Sequence, residues 1–264
     1  MTWTTRPRSE FGQLAAIRTG SGPRILLLHG VGLRAEAWNA QIDALAPTFE
    51  IIAPDMAGHG HSPMFADVVQ LATYTDQLAR GIEELDGPVM VIGHSMGAMI
   101  ALDLACRYPH LIRGVVAMNA IYRRSQEAKD AVRDRWLSLD TKTPPDPTGP
   151  MQRWFGGLAS PEAGACRDWL VSADPSHYRH AYLVFSTGDA PPDEDLANLT
   201  CPALFFTGAD EPNSTPAMSD AMAALAPKGR AKILPDAAHM MPMTHPDTVN
   251  AVLADFLNTC TEES

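Results

Sequence analysis

The stretch from residue 89 to residue 107 restricts the possible folds more than any other part of this 264-residue chain. Val89-Met90-Val91-Ile92 is a short apolar run, which is typical of a strand buried on both faces. The apolar positions from Ser95 to about Arg107 predict a helix. Between the two stands Gly93-His94-Ser95-Met96-Gly97. This pattern predicts a sharp strand-to-helix turn that exposes the Ser95 hydroxyl above a sheet, because side chains at the glycine positions would collide with the strand or the helix.

The rest of the chain alternates short apolar runs with amphipathic segments. The runs that predict strands are Arg24–His29, Phe49–Pro54, Gly114–Met118, Ala203–Gly208 and Ala231–Leu234. The segments that predict helices are Ala35–Leu45, Leu71–Leu85, Pro216–Leu225 and Thr248–Leu257. Strands separated by helices of this length imply right-handed crossovers, and therefore an α/β fold whose mainly parallel sheet is covered by helices on both faces.

The middle of the chain breaks this alternation. Residues 120–199 carry no strong strand signal, and proline clusters divide them into what the sequence predicts to be short helices. The sheet needs strands from both flanks of this stretch. We therefore expect one core domain made of residues 1–119 and 200–264, with residues 120–199 inserted as a helical cap.

Charge and composition narrow the classes of function. The chain has 20 basic and 31 acidic residues and a net charge of -11, so we expect neither a nucleic-acid nor a membrane partner. The sequence has no apolar run of the ~20 residues that a membrane span requires, and its first residues lack the apolar core of a signal peptide. The four cysteines lie far apart without metal-binding spacing. We expect a cytoplasmic protein with a small-molecule substrate and no metal or cofactor. The sequence is compatible with either a monomer or a homodimer.

A second glycine-rich segment, His29-Gly30-Val31-Gly32, closes the first of these buried strands. Such a loop can turn a backbone N–H towards the serine, and the residue after the serine can supply another. We therefore expect the amides of Val31 and Met96 to form an oxyanion hole. An ordinary tight turn would also require glycine, but the nearby serine motif favours the oxyanion role.

The chain also offers a base and an acid for a nucleophilic serine. His239 follows the last predicted strand, and strand-end loops of a parallel sheet converge on one edge. We expect His239 to act as the general base. The loop after the strand Ala203–Gly208 is expected to carry an acid that orients the imidazole. Two candidates stand there, Asp210 and Glu211.

The order of these motifs resembles that of α/β-hydrolase-fold enzymes along essentially the whole chain. The resemblance rests on LLLHGVG, the D-x-x-G-x-G-x-S loop at Asp55–Ser62, GHSMG, TGADEP and AAHMMP. It implies an eight-stranded, mostly parallel sheet with a helical cap between strands six and seven. It also places the triad acid at the fourth residue of G-x-x-D, which is Glu211 here, and this favours Glu211 over Asp210. The most similar branch contains enol-lactonases, ring-cleavage-product hydrolases and esterases.

Several residues are candidates for contacting a substrate. In the cap, Arg124 or Arg133 could bind a substrate carboxylate through two hydrogen bonds, although the alternative is a solvated helix face. Aromatic cap residues could line an apolar pocket or only hold the cap together. The full candidate set is His29, Gly30, Arg124, Arg133, Trp154, Tyr178 and Met240.

Together these features predict a cofactor-independent serine hydrolase that acts on a small, carboxylated ester, lactone or related acyl compound. Ser95 would attack the carbonyl and His239 would transfer the proton. Fold and triad do not fix the leaving group, so a C–C bond or amide hydrolase of ring-cleavage products is an alternative. A ligand-binding or receptor protein that kept the fold without turnover is a third hypothesis.

Replacement of the serine tests the covalent mechanism. We expect Ser95→Ala to lower kcat by several orders of magnitude while the fold stays intact, because only binding and the oxyanion hole would remain. Steady-state kinetics and circular dichroism of the purified variant measure both properties. Turnover close to that of the wild type in a folded variant would contradict the mechanism.

Overall fold

A computed structural model describes residues 3–262, which form an α/β structure around one sheet. The eight strands found in these residues have the order β1-β2-β4-β3-β5-β6-β7-β8. Their bounds are β1 Ser9–Phe11, β2 Leu14–Thr19, β3 Arg24–Leu28, β4 Glu50–Pro54, β5 Val89–His94, β6 Ile112–Met118, β7 Ala203–Gly208 and β8 Gly229–Leu234. Strands β3 to β8 pair in parallel, whereas β1 with β2 and β2 with β4 are antiparallel. The predicted fold class, including the number of strands, is confirmed.

Helices cover both faces of the sheet, and buried apolar side chains fill the space between them and the strands. The helices of the core are α1 Asn39–Leu45, α2 Leu71–Glu83, α3 Met96–Arg107, α9 Pro216–Leu225, α10 Met241–Thr244 and α11 Pro246–Glu262. Between β6 and β7 lie α4 Gln126–Leu137, α5 Thr148–Phe155, α6 Pro161–Val171, α7 Pro175–Thr187 and α8 Asp193–Ala197. None of the helices described is long and apolar enough to cross a membrane.

The structure differs from the sequence predictions in several places. Strands β1 and β2 had no individual prediction: β1 has only three residues, two of them exposed, and the apolar part of β2 is limited to its first four residues. The predicted helix Ala35–Leu45 begins with a 3-10 turn, Ala35–Trp38, before α1. The final helix is longer than predicted and begins at Pro246, since proline has no N–H to leave unpaired in the first turn.

The predicted insertion corresponds to the helices between β6 and β7. Their first turns are capped by local side chains: Ser125 accepts a hydrogen bond from the Ala128 N–H, and Ser160 does the same for Ala163. Such caps satisfy N–H groups that a helix leaves unpaired. The division into a core domain and a separate cap domain stays a prediction.

A buried charge network joins the first strands to the loop after β4. The Arg8 guanidinium donates to both oxygens of Glu36 and to both oxygens of Asp55, at 2.7–3.1 Å. The carboxylates are 1% and 0% exposed, and within the described residues Arg8, at 10%, is the arginine or lysine that pairs with them. Asp55 also accepts from the backbone N–H groups of Ala35 and His61. Burial raises the pKa of Asp55, but the hydrogen bonds from Arg8 and these amides lower it overall.

We expect Arg8→Met to lower the free energy of unfolding by about 3–5 kcal/mol, because removal of the cation leaves buried, uncompensated carboxylates. Arg18→Met is the matched control. Arg18 pairs with Glu50 in a solvent-exposed bridge at 2.7 Å, and such pairs contribute about 0–1 kcal/mol. Urea unfolding of both variants measures the difference. Equal losses in the two variants would show that the Arg8 network does not stabilise the fold.

Candidate active site

Ser95 occupies a strained turn between β5 and α3. Its backbone has φ 57° and ψ -118°, a conformation that L residues rarely adopt. Glycine at positions 93 and 97 allows β5, β3 and α3 to approach closely at this turn. A Cβ at Gly93 would lie 2.0 Å from the Gly97 carbonyl oxygen, and one at Gly97 would lie 2.1 Å from the Leu28 carbonyl oxygen. The Ser95 N–H donates to the Met118 carbonyl at 2.9 Å, which fastens the turn to β6.

The predicted oxyanion loop lies beside this serine. A Cβ built on Gly30 would be 3.0 Å from the Ser95 Cβ. Gly30 is therefore in direct contact with the serine, and a larger residue at this position would crowd it. Val31 lines the same cavity as Ser95. Met96 is the first residue of α3, and the N–H groups of a first turn have no partner within their own helix. The assignment of the Val31 and Met96 amides as oxyanion donors stays a prediction.

His29, predicted as a substrate contact, is not among the residues that line the cavity of Ser95. Its side chain is fully buried, and both ring nitrogens bind backbone. Nε2 accepts from the Met56 N–H at 2.9 Å, so Nδ1 carries the proton and donates to the Gly30 carbonyl at 2.8 Å. Burial lowers the pKa of His29 to about 3, so the ring is neutral and holds the loop in place.

The structure brings His239 and Glu211 together. The Glu211 Oε2 lies 2.7 Å from the His239 Nδ1, and its Oε1 accepts from the N–H groups of Asn213 and Ser214. Glu211 is 2% exposed. The Asp210 side chain is exposed instead, and Asp210 lies in a turn that the Glu211 N–H closes onto the Gly208 carbonyl at 3.3 Å. Of the two candidate acids, Glu211 is therefore the one that contacts the histidine.

Glu211 stays ionised at all but the most acidic pH values. Burial raises its pKa, but the His239 charge, the His239 hydrogen bond and the two amides lower it overall, to about 2. A folded-state pKa below the ordinary value of 4.5 stabilises the folded protein above that value. This contribution is lost as the pH falls towards 2. An ionised carboxylate can only accept, so Nδ1 of His239 carries the proton.

Asn119 supports the acid, and the sequence reasoning missed it. Asn119 follows β6 with φ 53°, and its amide nitrogen donates to the Thr207 Oγ1 at 3.1 Å and to the Glu211 Oε2 at 3.4 Å. The only sequence signal was its position at the end of a strand on the same sheet edge. Asparagine tolerates the left-handed region better than most residues, which allows the side chain to turn towards β7.

A cavity of about 450 Å³ opens above Ser95 and His239. Its wall contains four arginines and, within the part of the chain described, no aspartate or glutamate: Arg123, Arg124, Arg135 and Arg153. The helix α4 contributes Ala128, Ala131, Val132 and Arg135, whose spacing of three, four and seven residues places them on one helix face. Trp154, Tyr178 and Tyr182 add aromatic surface.

Two of these arginines have a buried side-chain nitrogen without a hydrogen-bond partner in the described residues. Arg124 is 6% exposed and donates through Nη1 to the carbonyls of Phe185 and Gly188, yet its buried Nη2 has no partner within residues 3–262. The buried Nε of Arg135 likewise has none there. Burial and the charge of Arg135 lower the pKa of Arg153. Arg123, in contrast, pairs with Asp193.

The other predicted contacts divide into two groups. Arg124, Trp154 and Tyr178 line the cavity, and the Trp154 ring stacks on the His239 ring with centroids 6.2 Å apart. Arg133 does not line the cavity: it is exposed and, two residues along a helix from Arg135, it points away. Met240 does not line it either, because it is 1% exposed and packs in a buried apolar cluster. Arg135 and Arg153, which do line the cavity, were not among the predicted contacts.

The contact between Glu211 and His239 predicts the effect of two amide substitutions. Glu211→Gln should lower kcat by up to about 10⁴-fold, because it removes the charge that stabilises the imidazolium and can present the wrong tautomer. Asp210→Asn is the matched control and should have little effect, since its carboxylate is exposed. Steady-state kinetics of both variants measure this. A severe loss in Asp210→Asn with an active Glu211→Gln would reverse the assignment.

Comparison with known proteins places this chain in a family. A model described as "Alpha/beta hydrolase family" matches residues 25–252. The chain is 36% identical over 248 residues to an (E)-2-((N-methylformamido)methylene)succinate hydrolase of Acinetobacter baylyi, covering 91% of this chain and 92% of that protein. A malate-bound thermophilic esterase from Thermogutta terrifontis has a TM-score of 0.86 and 26% identity, covering 97% and 99% of the two chains. An E-2-(acetamidomethylene)succinate hydrolase shares the fold, with a TM-score of 0.79, 22% identity and coverages of 95% and 98%. The chain therefore belongs to the alpha/beta hydrolase family and is a hydrolase.

Proposed function

We propose that this chain hydrolyses the acyl–nitrogen bond of a small unsaturated dicarboxylate through an acyl-enzyme on Ser95. The observation that carries the proposal is the cavity in which Ser95 and His239 lie below Arg124, Arg135 and Arg153, with no aspartate or glutamate among the described residues of its wall. Arginine binds carboxylates through paired, charge-assisted hydrogen bonds. The cavity therefore suits an anionic substrate, although the chain as a whole has a net charge of -11.

In the first half of the reaction, Ser95 forms a bond to the substrate carbonyl carbon. The Glu211 carboxylate holds the proton of His239 on Nδ1, so Nε2 is free to accept the proton of the Ser95 hydroxyl. The amides of Val31 and Met96 stabilise the negative charge that develops on the carbonyl oxygen. His239 then gives the proton to the leaving nitrogen, and the C–N bond breaks.

In the second half, water attacks the acyl-enzyme. His239 removes a proton from the water, the oxygen bonds to the acyl carbon, and the proton passes to the Ser95 oxygen as it leaves. The products are a carboxylic acid and an amine or enamine, and the enzyme returns to its starting state. No step requires a cofactor.

Two relatives support the choice of bond and substrate class. The Acinetobacter baylyi protein is named for a succinate that carries an N-methylformamido-methylene group, a substrate with an amide and two carboxylates. The Thermogutta terrifontis esterase was solved with malate, another four-carbon dicarboxylate. Since the same apparatus cleaves esters, hydrolysis of a carboxylated ester or lactone is the second candidate, which the esterase favours.

The charge of the substrate tests the proposal. We expect an (acylaminomethylene)succinate to be hydrolysed with a much lower KM than its dimethyl ester. Losing one hydrogen bond to a charged group costs about 1.5–3 kcal/mol, or roughly 10- to 150-fold in affinity. Arg153→Met should raise the KM for the diacid by a factor in this range and leave the KM for the diester nearly unchanged.

Arg133→Met is the matched control, because Arg133 is exposed and outside the cavity wall. It should leave both KM values unchanged, and a panel of p-nitrophenyl esters and enol-lactones shows which bond is cleaved best. Equal KM values for diacid and diester would contradict the role of the arginines. Faster cleavage of the esters or lactones would favour the second candidate.

A further inference from the structure

His94 is the residue before Ser95 and the last residue of β5. It is 2% exposed, and no step of the proposed mechanism uses it. Its ring lies beside that of His239, with ring centroids 4.9 Å apart. The rings of His94 and Trp38 pack in a T-shaped arrangement, with centroids 6.4 Å apart. His94 therefore stands between the strand that carries the nucleophile and the loop that carries the base.

The hydrogen bond of His94 defines its tautomer. Nε2 lies 2.8 Å from the backbone carbonyl oxygen of His239. A carbonyl oxygen can only accept, so Nε2 carries a proton and donates it. Burial and the nearby His239 charge lower the pKa of His94 to about 3, so the ring is neutral. A neutral donor fits this position, because a second cation would oppose formation of the His239 imidazolium during catalysis.

The loop that carries His239 is attached to its surroundings at three points. The Asp210 N–H donates to the Ala237 carbonyl at 2.9 Å, and Glu211 binds the His239 side chain. These two bonds connect the loop to the segment after β7. The bond from His94 is the one that connects the His239 main chain to the strand end next to Ser95. Because His94 directly precedes Ser95, this bond links the base to the nucleophile through a single peptide unit.

We infer that His94 is a positioning residue, which sets the distance between Ser95 and His239 by holding the His239 carbonyl through Nε2–H. The inference rests on the proposed roles of Ser95 and His239. A misplacement of about 1 Å between reacting groups can lower a rate by about 100-fold. A donor at this position therefore affects the chemical step more than substrate binding.

Two variants of nearly equal shape separate positioning from packing. His94→Gln keeps an N–H donor at about the reach of the imidazole Nε2, and His94→Met replaces that amide with a thioether that cannot donate. The probe is a small, uncharged p-nitrophenyl alkylphosphonate, which reports the reactivity of Ser95 without using the arginines. Ser95→Ala is the blank. p-Nitrophenyl acetate gives kcat and KM for the same variants.

We expect His94→Met to lower the phosphonate inactivation rate and the kcat for p-nitrophenyl acetate about 10- to 100-fold with KM nearly unchanged. His94→Gln should restore most of both rates. The two variants should have melting temperatures within about 4 °C of each other, the range expected for one hydrogen bond in a protein of this size. If His94 only packed against its neighbours, the loss of rate would be accompanied by a matching loss of stability. A loss of rate without a loss of stability therefore indicates positioning.

Equal rates in the two variants would overturn the inference, and so would rates that only follow the melting temperatures. If His94→Met does not fold, the tautomer remains a test. In wild-type protein labelled with ¹⁵N-histidine, the ring signal that disappears in His94→Gln must belong to an Nε2–H tautomer, and an Nδ1–H signal would overturn the inference. Wild-type protein that the phosphonate does not label would instead contradict the proposed function.

Discussion

The close approach of β5, α3 and β3 around Ser95 is the constraint on which the rest of the site depends. Both flanking glycines are in places where a Cβ would meet backbone at about 2 Å, so the contact is between main chains and leaves no room for adjustment. A residue held in a sparsely populated backbone conformation persists only when its surroundings determine it fully. Here the bond from the Ser95 N–H to Met118 and the packing of α3 supply that support.

From this turn, the parallel sheet determines where the other reacting groups can lie. The loops after β3, β6 and β7 and the loop after β8 leave the same edge, and they bring Val31, Asn119, Glu211 and His239 around the serine. Hydrogen bonds between these loops then set the details. Neutral, buried imidazoles contribute two further bonds between segments: His29 accepts from the Met56 N–H in the loop after β4, and His94 donates to the carbonyl of His239.

The core and the inserted helices contribute charges of opposite sign to the site. The core supplies a buried carboxylate beside the imidazole, where a negative charge favours the imidazolium. Three of the four cavity arginines lie on, or just before, the inserted helices α4 and α5, and they face the cavity from above: Arg124, Arg135 and Arg153. Burial and the charge of Arg135 lower the pKa values of both Arg124 and Arg153, and the described cavity wall holds no aspartate or glutamate, so a bound carboxylate would offset the repulsion from Arg135. The inserted helices thus complement the charge of the substrate class proposed above.

The sequence by itself determined the fold class, the strand–turn–helix at Ser95 and the candidates His239 and Glu211, because local patterns of glycine, apolar runs and chain order encode them. Of the arginines that face the cavity, it identified Arg124 but not Arg135 or Arg153. Arg133 and Arg135 differ by two positions, and only the phase of α4 against its neighbours decides which one points inward. Nor could it show that Met240 is buried, that Asn119 reaches Glu211 or that His94 binds the His239 carbonyl. These facts depend on contacts between residues far apart in the chain, 145 positions for His94 and His239, which only tertiary packing brings together.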